Sequence, residues 1–204
     1  MRPMVFAAAA VLVALFLSGC AAPQGVGRFR TVVLDAGHGG IDRGAKGVDG
    51  RSVEKTYALD TTKRIERGLR ARGFRVVMTR RGDYFVSLPR RVQTSNRERN
   101  AVFVSIHYNW APRRAASGVE TFHYNSRSYP LAANIQREIN RVAPTPNRGV
   151  KRARFHVLRN NTRPAALVEL GFMSNSRELQ LIKSSSYRQR LADAVVRGVV
   201  NSSR

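Results

Sequence analysis

The 204-residue chain has one cysteine, Cys20. An intrachain disulfide is therefore excluded. Acidic residues are few: 13 Asp and Glu stand against 36 Lys and Arg, a formal net charge of +23. Long apolar runs are also lacking. The longest, Val5 to Leu17, has 13 residues and would rise only about 20 Å as a helix, too short for an ordinary membrane span. There is no internal repeat, no low-complexity tract and no nucleic-acid recognition motif. What remains is enough ordinary sequence for one domain with a hydrophobic core.

The excess of arginine speaks to partners rather than to fold. A solvated basic surface would account for it, and so would attraction to a polyanion such as nucleic acid, anionic lipid or an acidic wall polymer. The N-terminus narrows these. Arg2, the short apolar run and the small residues Ser18 and Gly19 describe an export signal. Its ending, Leu17-Ser18-Gly19-Cys20, resembles the bacterial lipobox, which implies cleavage before Cys20 and lipidation of that residue. We expect residues 1–19 to be a lipoprotein signal, 20–30 a tether broken by Pro23, Gly25 and Gly27, and 31–203 the functional domain. Export makes nucleic acid an unsuitable partner. Ala21 after Cys20 favours an outer membrane where the cell has one.

From Thr31 the pattern alternates. Short β-rich runs are expected at 31–35, 74–79, 101–106, 119–123, 154–158 and 165–168. Helical periodicity is expected at 55–72, with Leu59, Ile65 and Leu69 facing the core, and at 88–99, 131–142, 177–182 and 186–200. Interleaved strands and helices predict a single α/β domain, a mostly parallel twisted sheet flanked by helices, phosphorylase/hydrolase-like.

Three segments rich in chemistry lie at predicted strand ends: Asp35-Ala36-Gly37-His38-Gly39-Gly40, Ser105-Ile106-His107-Tyr108-Asn109, and Val168-Glu169-Leu170-Gly171-Phe172. Open α/β sheets bind ligands beyond the carboxyl ends of their strands. This reading brings His38, His107 and Glu169 to one rim. Glu54, at the start of the first long helix, joins them only if the segment from Gly39 to Val53 folds back, which spacing alone leaves open. Two His and one Glu form a common zinc shell in hydrolases. A further carboxylate serves as proton carrier. The apolar neighbours of Glu169 would raise its pKa, while a metal would lower it. His123 and His156 fall in strand-like runs and are read as structural.

These segments resemble the zinc-type N-acetylmuramoyl-L-alanine amidases, the amidase-3 family. The resemblance rests on Val33 to Gly40, Glu54-Lys55, Thr79-Arg80, Ser87-Leu88 with Arg91, Ser105-Ile106-His107 with Asn109, Gly118-Val119-Glu120, Arg148-Gly149-Val150-Lys151, Val157-Leu158-Arg159, and Val168 to Phe172 followed by Ser174-Asn175. It implies one zinc ion on His38, Glu54 and His107 and a catalytic Glu169. It also implies cleavage, by zinc-activated water, of the amide joining N-acetylmuramic acid to L-alanine of the peptidoglycan stem. The substrate partner would be peptidoglycan, and the protein a monomer. A zinc peptidase of stem cross-links and a non-catalytic wall-binding module are the alternatives. Ala36 stands where the family usually has Pro, and Tyr108-Asn109-Trp110 is bulkier than usual; Tyr108 and Trp110 either stack on a sugar or pack the rim. Arg159, Arg148 and Asn109 are expected to seat substrate, since Arg binds the carboxylates of a stem peptide well. Only a few residues separate Tyr124 from the helix at Leu131, so no helical plug is expected after the Gly-Val-Glu strand.

Overall fold

The structure, a computed structural model, describes residues 26–203. Residues 1–25, where the export signal and the lipidated Cys20 are expected, lie outside the described residues. Six strands, β1 (Thr31–Ala36), β2 (Arg75–Met78), β3 (Ala101–Asn109), β4 (Val119–His123), β5 (Asn147–Arg152) and β6 (Ala165–Phe172), form one sheet in the order β2-β1-β3-β6-β4-β5. β2, β1, β3 and β6 run parallel; β4 pairs antiparallel with β6 and parallel with β5. The mostly parallel α/β sheet expected from the sequence is what forms.

Among the described residues six α-helices cover it: α1 (Glu54–Arg70), α2 (Leu88–Asn96), α3 (Tyr129–Asn140), α4 (His156–Arg159), α5 (Ser176–Lys183) and α6 (Ser185–Ser202). In α1 the buried stripe is Ala58, Thr61, Thr62, Ile65 and Leu69. Leu59, expected in that stripe, is only half-buried, because Ala58 and Thr62 occupy the helical phase that meets the sheet.

The two sheet faces differ, and the difference builds the site. Side chains alternate along a strand. Val32 and Leu34 of β1, Val102, Val104, Ile106 and Tyr108 of β3, and Ala166, Val168 and Leu170 of β6 enter the main core beneath α1, α3, α5 and α6. The other face begins equally apolar, with Val33, Phe103, Ala165 and Leu167 packed against Val92 of α2 and Val157 and Leu158 of α4. Toward the carboxyl ends it turns polar: Asp35 on β1, Ser105 and His107 on β3, Glu169 on β6. Both core clusters lie between Phe29 and Val199, so the domain carries its own described core.

One expected strand is corrected. Residues 154–158 do not extend; the edge strand is β5, and α4 follows it. An edge strand bonds on one side only, so the polar run Asn147–Arg152 serves as one without apolar alternation. Phe155, Val157 and Leu158, which read as strand, instead fold as a helical turn that buries Val157 and Leu158. β3 and β6 also run further than expected, through His107 and Glu169, which are register partners.

A candidate metal centre at the carboxyl end of the sheet

After β1 the chain turns through three consecutive left-handed residues, His38 (φ 60), Gly39 (φ 128) and Gly40 (φ 60). A Cβ on Gly39 would lie 2.4 Å from the Tyr84 carbonyl oxygen and one on Gly40 would lie 2.6 Å from the Phe85 nitrogen, so only glycine fits either position. His38 carries the same conformation with a side chain, at a cost of about 1–2 kcal/mol. Two buried arginines hold it there. Arg80 donates to the carbonyls of Ala36 (2.9 Å), Gly37 (2.7 Å) and Lys55 (2.8 Å). Arg91 donates to the carbonyls of Ala36 and His38 (2.7 Å each), to Val86 (2.9 Å) and to the buried carboxylate of Asp35 (2.7 Å).

The segment 41–53 folds back over the rim, which supplies the placement that spacing left open. Glu54 heads α1, where a helix N-terminus favours a carboxylate. Its Oε2 lies 2.9 Å from His38 Nε2 and accepts from the Ala45 amide at 2.9 Å. Its Oε1 lies 2.8 Å from His107 Nδ1 and accepts from the Tyr108 amide at 3.1 Å. One ligand atom from each of His38, Glu54 and His107 falls within 4.8 Å of the other two. Asp42 Oδ1 sits 2.8 Å from His38 Nδ1, which aims Nε2 inward in the way that metal-binding imidazoles are commonly oriented. Two glycines leave room for the cluster. A Cβ on Gly37 would approach the His107 ring to 2.4 Å, and one on Gly44 (φ 65) would come within 2.6 Å of both Glu54 Oε2 and His38 Cδ2. The donor set, two imidazoles and a carboxylate with second-sphere support, fits a zinc ion.

Charge behaves accordingly. Burial pushes the Glu54 carboxyl up, but hydrogen bonds and charge from His107 and His38 outweigh it and hold the group ionised. Burial lowers His38, while Glu54 and Asp42 more than offset this and leave it raised. Glu169 has no such partners. Burial, then the nearby charges of Glu54 and Glu120, raise it well above the ordinary carboxylate range, and its buried Oε2 has no hydrogen-bond partner.

Glu169 stands in a row across three strands, His107 on β3, Glu169 on β6 and Glu120 on β4. Glu120 accepts from Asn109 Nδ2 (2.6 Å), Arg148 Nε (3.1 Å) and Lys151 Nζ. His107 and Glu169 open into a cavity of about 740 Å³ whose walls include Phe85, Leu88, Trp110, Phe155 and His156. Of the residues expected to seat substrate, Asn109 lines this cavity, Arg148 is tied to Glu120, and Arg159 is exposed on α4 and stands outside the lining. Tyr108 packs inward, its hydroxyl 2.7 Å from Thr61 Oγ1, while Trp110 stays 52% exposed at the cavity mouth. His123 pairs with the Asn125 carbonyl, but His156, read as structural, forms part of the cavity wall. Asp42, Gly44 and Glu120 belong to the site without a motif that marks them for it. Asp42, four residues from His38 in a glycine-rich loop, carried the one local signal.

A His-Glu-His cluster able to hold a metal ion, beside a half-buried carboxylate whose Oε2 has no partner, lies on a mostly parallel sheet and suits a hydrolase. The family described as N-acetylmuramoyl-L-alanine amidase (amidase-3) matches residues 32–201, and the chain belongs to it. The YqiI protein of Bacillus subtilis is 36% identical over 190 residues, 91% of each chain. The probable cell wall amidase LytH of Staphylococcus aureus is 36% identical over 172 residues, 83% of this chain but only 57% of LytH, so the chain spans little more than half of that relative. Among solved structures, the catalytic domain of CwlV, an N-acetylmuramoyl-L-alanine amidase from Paenibacillus polymyxa, superposes with a TM-score of 0.82 at 34% identity and covers 84% of this chain and 97% of its own.

Proposed function

We propose that this enzyme hydrolyses the amide between the lactyl group of N-acetylmuramic acid and L-alanine of the peptidoglycan stem, with one zinc ion on His38, Glu54 and His107. The observation that carries the reading is the convergence of these three ligands next to the unpartnered Oε2 of Glu169. Zinc supplies Lewis-acid polarisation of the scissile carbonyl and acidifies the attacking water. Glu169 takes the proton from that water at Oε2 and returns it to the amine of L-alanine as the bond breaks. Oε2 is itself buried, which keeps bulk water off this proton. Glu120, neutralised by Arg148 and Lys151, holds Asn109 at the cavity edge, where its amide faces the substrate. Arg80 and Arg91 keep the His38 turn in place.

In the same reading Cys20 is the lipidated N-terminus of an exported protein, and the substrate is the peptidoglycan within reach of the membrane that holds it. Glu169→Gln tests the mechanism. It should retain one equivalent of zinc and lose turnover by about 10²–10⁴-fold, the usual worth of a positioned acid–base group. Full activity in that variant would refute the role of Glu169.

A further inference from the structure

The edge of the sheet opposite the metal cluster carries a strong excess of positive charge. Four parallel strands, β2, β1, β3 and β6, all begin there, so the segments that lead into them share that edge by topology. Arg28 and Arg30 precede β1, Arg72 precedes β2, Arg97 and Arg99 precede β3, and Arg163 precedes β6. β4 descends to the same edge, where Arg127 donates to the Thr162 carbonyl. The segments are contiguous in space: Arg30 N donates to the Asn100 carbonyl, and Arg75 N to the Arg30 carbonyl. Among the described residues none of these seven arginines is in an ion pair, and the only acid in the segments, Glu98, is held by Arg75. The catalytic edge is mixed by comparison, with Asp42, Asp49 and Asp83 in its loops beside Arg43, Lys46 and Arg51.

The tether arrives at this same cationic edge. Val26 N donates to the carbonyl of Ser202 at the end of α6, just before Arg28. Six residue steps separate Cys20 from Val26, a span of about 20 Å at full extension.

We infer that the amino-terminal edge of the sheet, centred on Arg28, Arg30, Arg97 and Arg99, docks on an anionic lipid bilayer. The choice of a bilayer over other polyanions rests on the proposed anchor at Cys20, whose short tether joins this edge. Basic groups near an anionic surface add their attractions and lose them with salt. Docking in this way points the metal cluster away from the membrane. His107 stands six steps along β3 from Ala101, which lifts the site roughly 20 Å above the start of the strand, toward the wall.

The test uses residues 20–204 with Cys20→Ser, which keep the whole described core and lack any lipid. Binding is measured by co-sedimentation with vesicles of phosphatidylglycerol in phosphatidylcholine and with phosphatidylcholine alone. Two variants lose the same charge at opposite edges: Arg28, Arg30, Arg97 and Arg99 to Gln, and Arg43, Arg113, Arg114 and Arg177 to Gln. The protein should bind anionic vesicles in a salt-sensitive manner and ignore neutral ones. The first variant should lose about a thousandfold in partitioning while the second stays close to the parent, with equal melting temperatures. Absence of anionic binding, or equal loss in both variants, overturns the inference. Mass analysis of Cys20 in the native protein reads the anchor separately, and peptide release from peptidoglycan reads the enzymatic proposal.

Discussion

Replacing Arg91 by Met should destabilise the protein far more than loss of an ordinary ion pair, and in a pH-dependent way. Asp35 and Arg91 are both buried. The carboxylate accepts from Arg91 Nη1 (2.7 Å), Thr79 Oγ1 (2.6 Å) and Ser105 Oγ (2.7 Å), and among the described residues Arg91 is the one cation in contact with it. Burial pushes Asp35 up, and the Arg91 charge with these three hydrogen bonds outweighs burial and leaves it lowered. Breaking a buried pair by removing one partner costs about 3–5 kcal/mol, because the other charge stays behind uncompensated. For a domain of this size that is roughly a 6–20 °C fall in melting temperature. The sign with pH follows. In the parent, the lowered pKa contributes stability above the unfolded value of about 3.9, lost as pH falls through the folded pKa. In the variant, Asp35 without its cation is raised, so the deficit is full near neutrality and shrinks as acid neutralises the carboxyl. Urea denaturation of metal-free protein at several pH values measures both effects. Asp35→Asn combined with Arg91→Met should recover much of the loss. A neutral-pH cost below about 1 kcal/mol, the worth of a surface pair, or a deficit that does not change with pH, would refute the reasoning.

Gly44→Ala forces a left-handed alanine whose Cβ would sit 2.6 Å from Glu54 Oε2. We expect a fall in zinc affinity of about 10–100-fold, the scale of second-sphere disruption, read by competition with a chromophoric chelator; unchanged affinity would show that the ligands yield freely. Arg159→Ala should leave KM and kcat for peptidoglycan fragments unchanged, since Arg159 stands outside the cavity lining; a raised KM would restore it to substrate binding.

The α/β class was legible because the strand and helix periods alternate from Thr31 onward, and a parallel sheet follows from that order. His38, His107 and Glu169 were legible as neighbours for the same reason, all lying where parallel strands finish. Glu54 was not, since its position depends on the path of residues 41–53, which no periodicity describes. Asp42, Gly37 and Gly44 escaped because their roles are steric and orientational: they matter through distances to ring atoms, not through residue type. The edge strand β5 was hidden for the opposite reason. Phe155, Val157 and Leu158 carry the apolar signal of a strand, but an edge position is set by pairing with β4 alone, and the charged run before them took it. Glu120 became meaningful only once the β4–β6 register set it beside Glu169.

The most direct test of the account is digestion of purified peptidoglycan by the zinc-loaded enzyme, with and without a chelator, followed by mass analysis of the soluble products. The account predicts free stem peptides beginning in L-alanine, absent after chelation and restored by added zinc. Products cut within the peptide cross-links, or undiminished release after complete removal of metal, would contradict it.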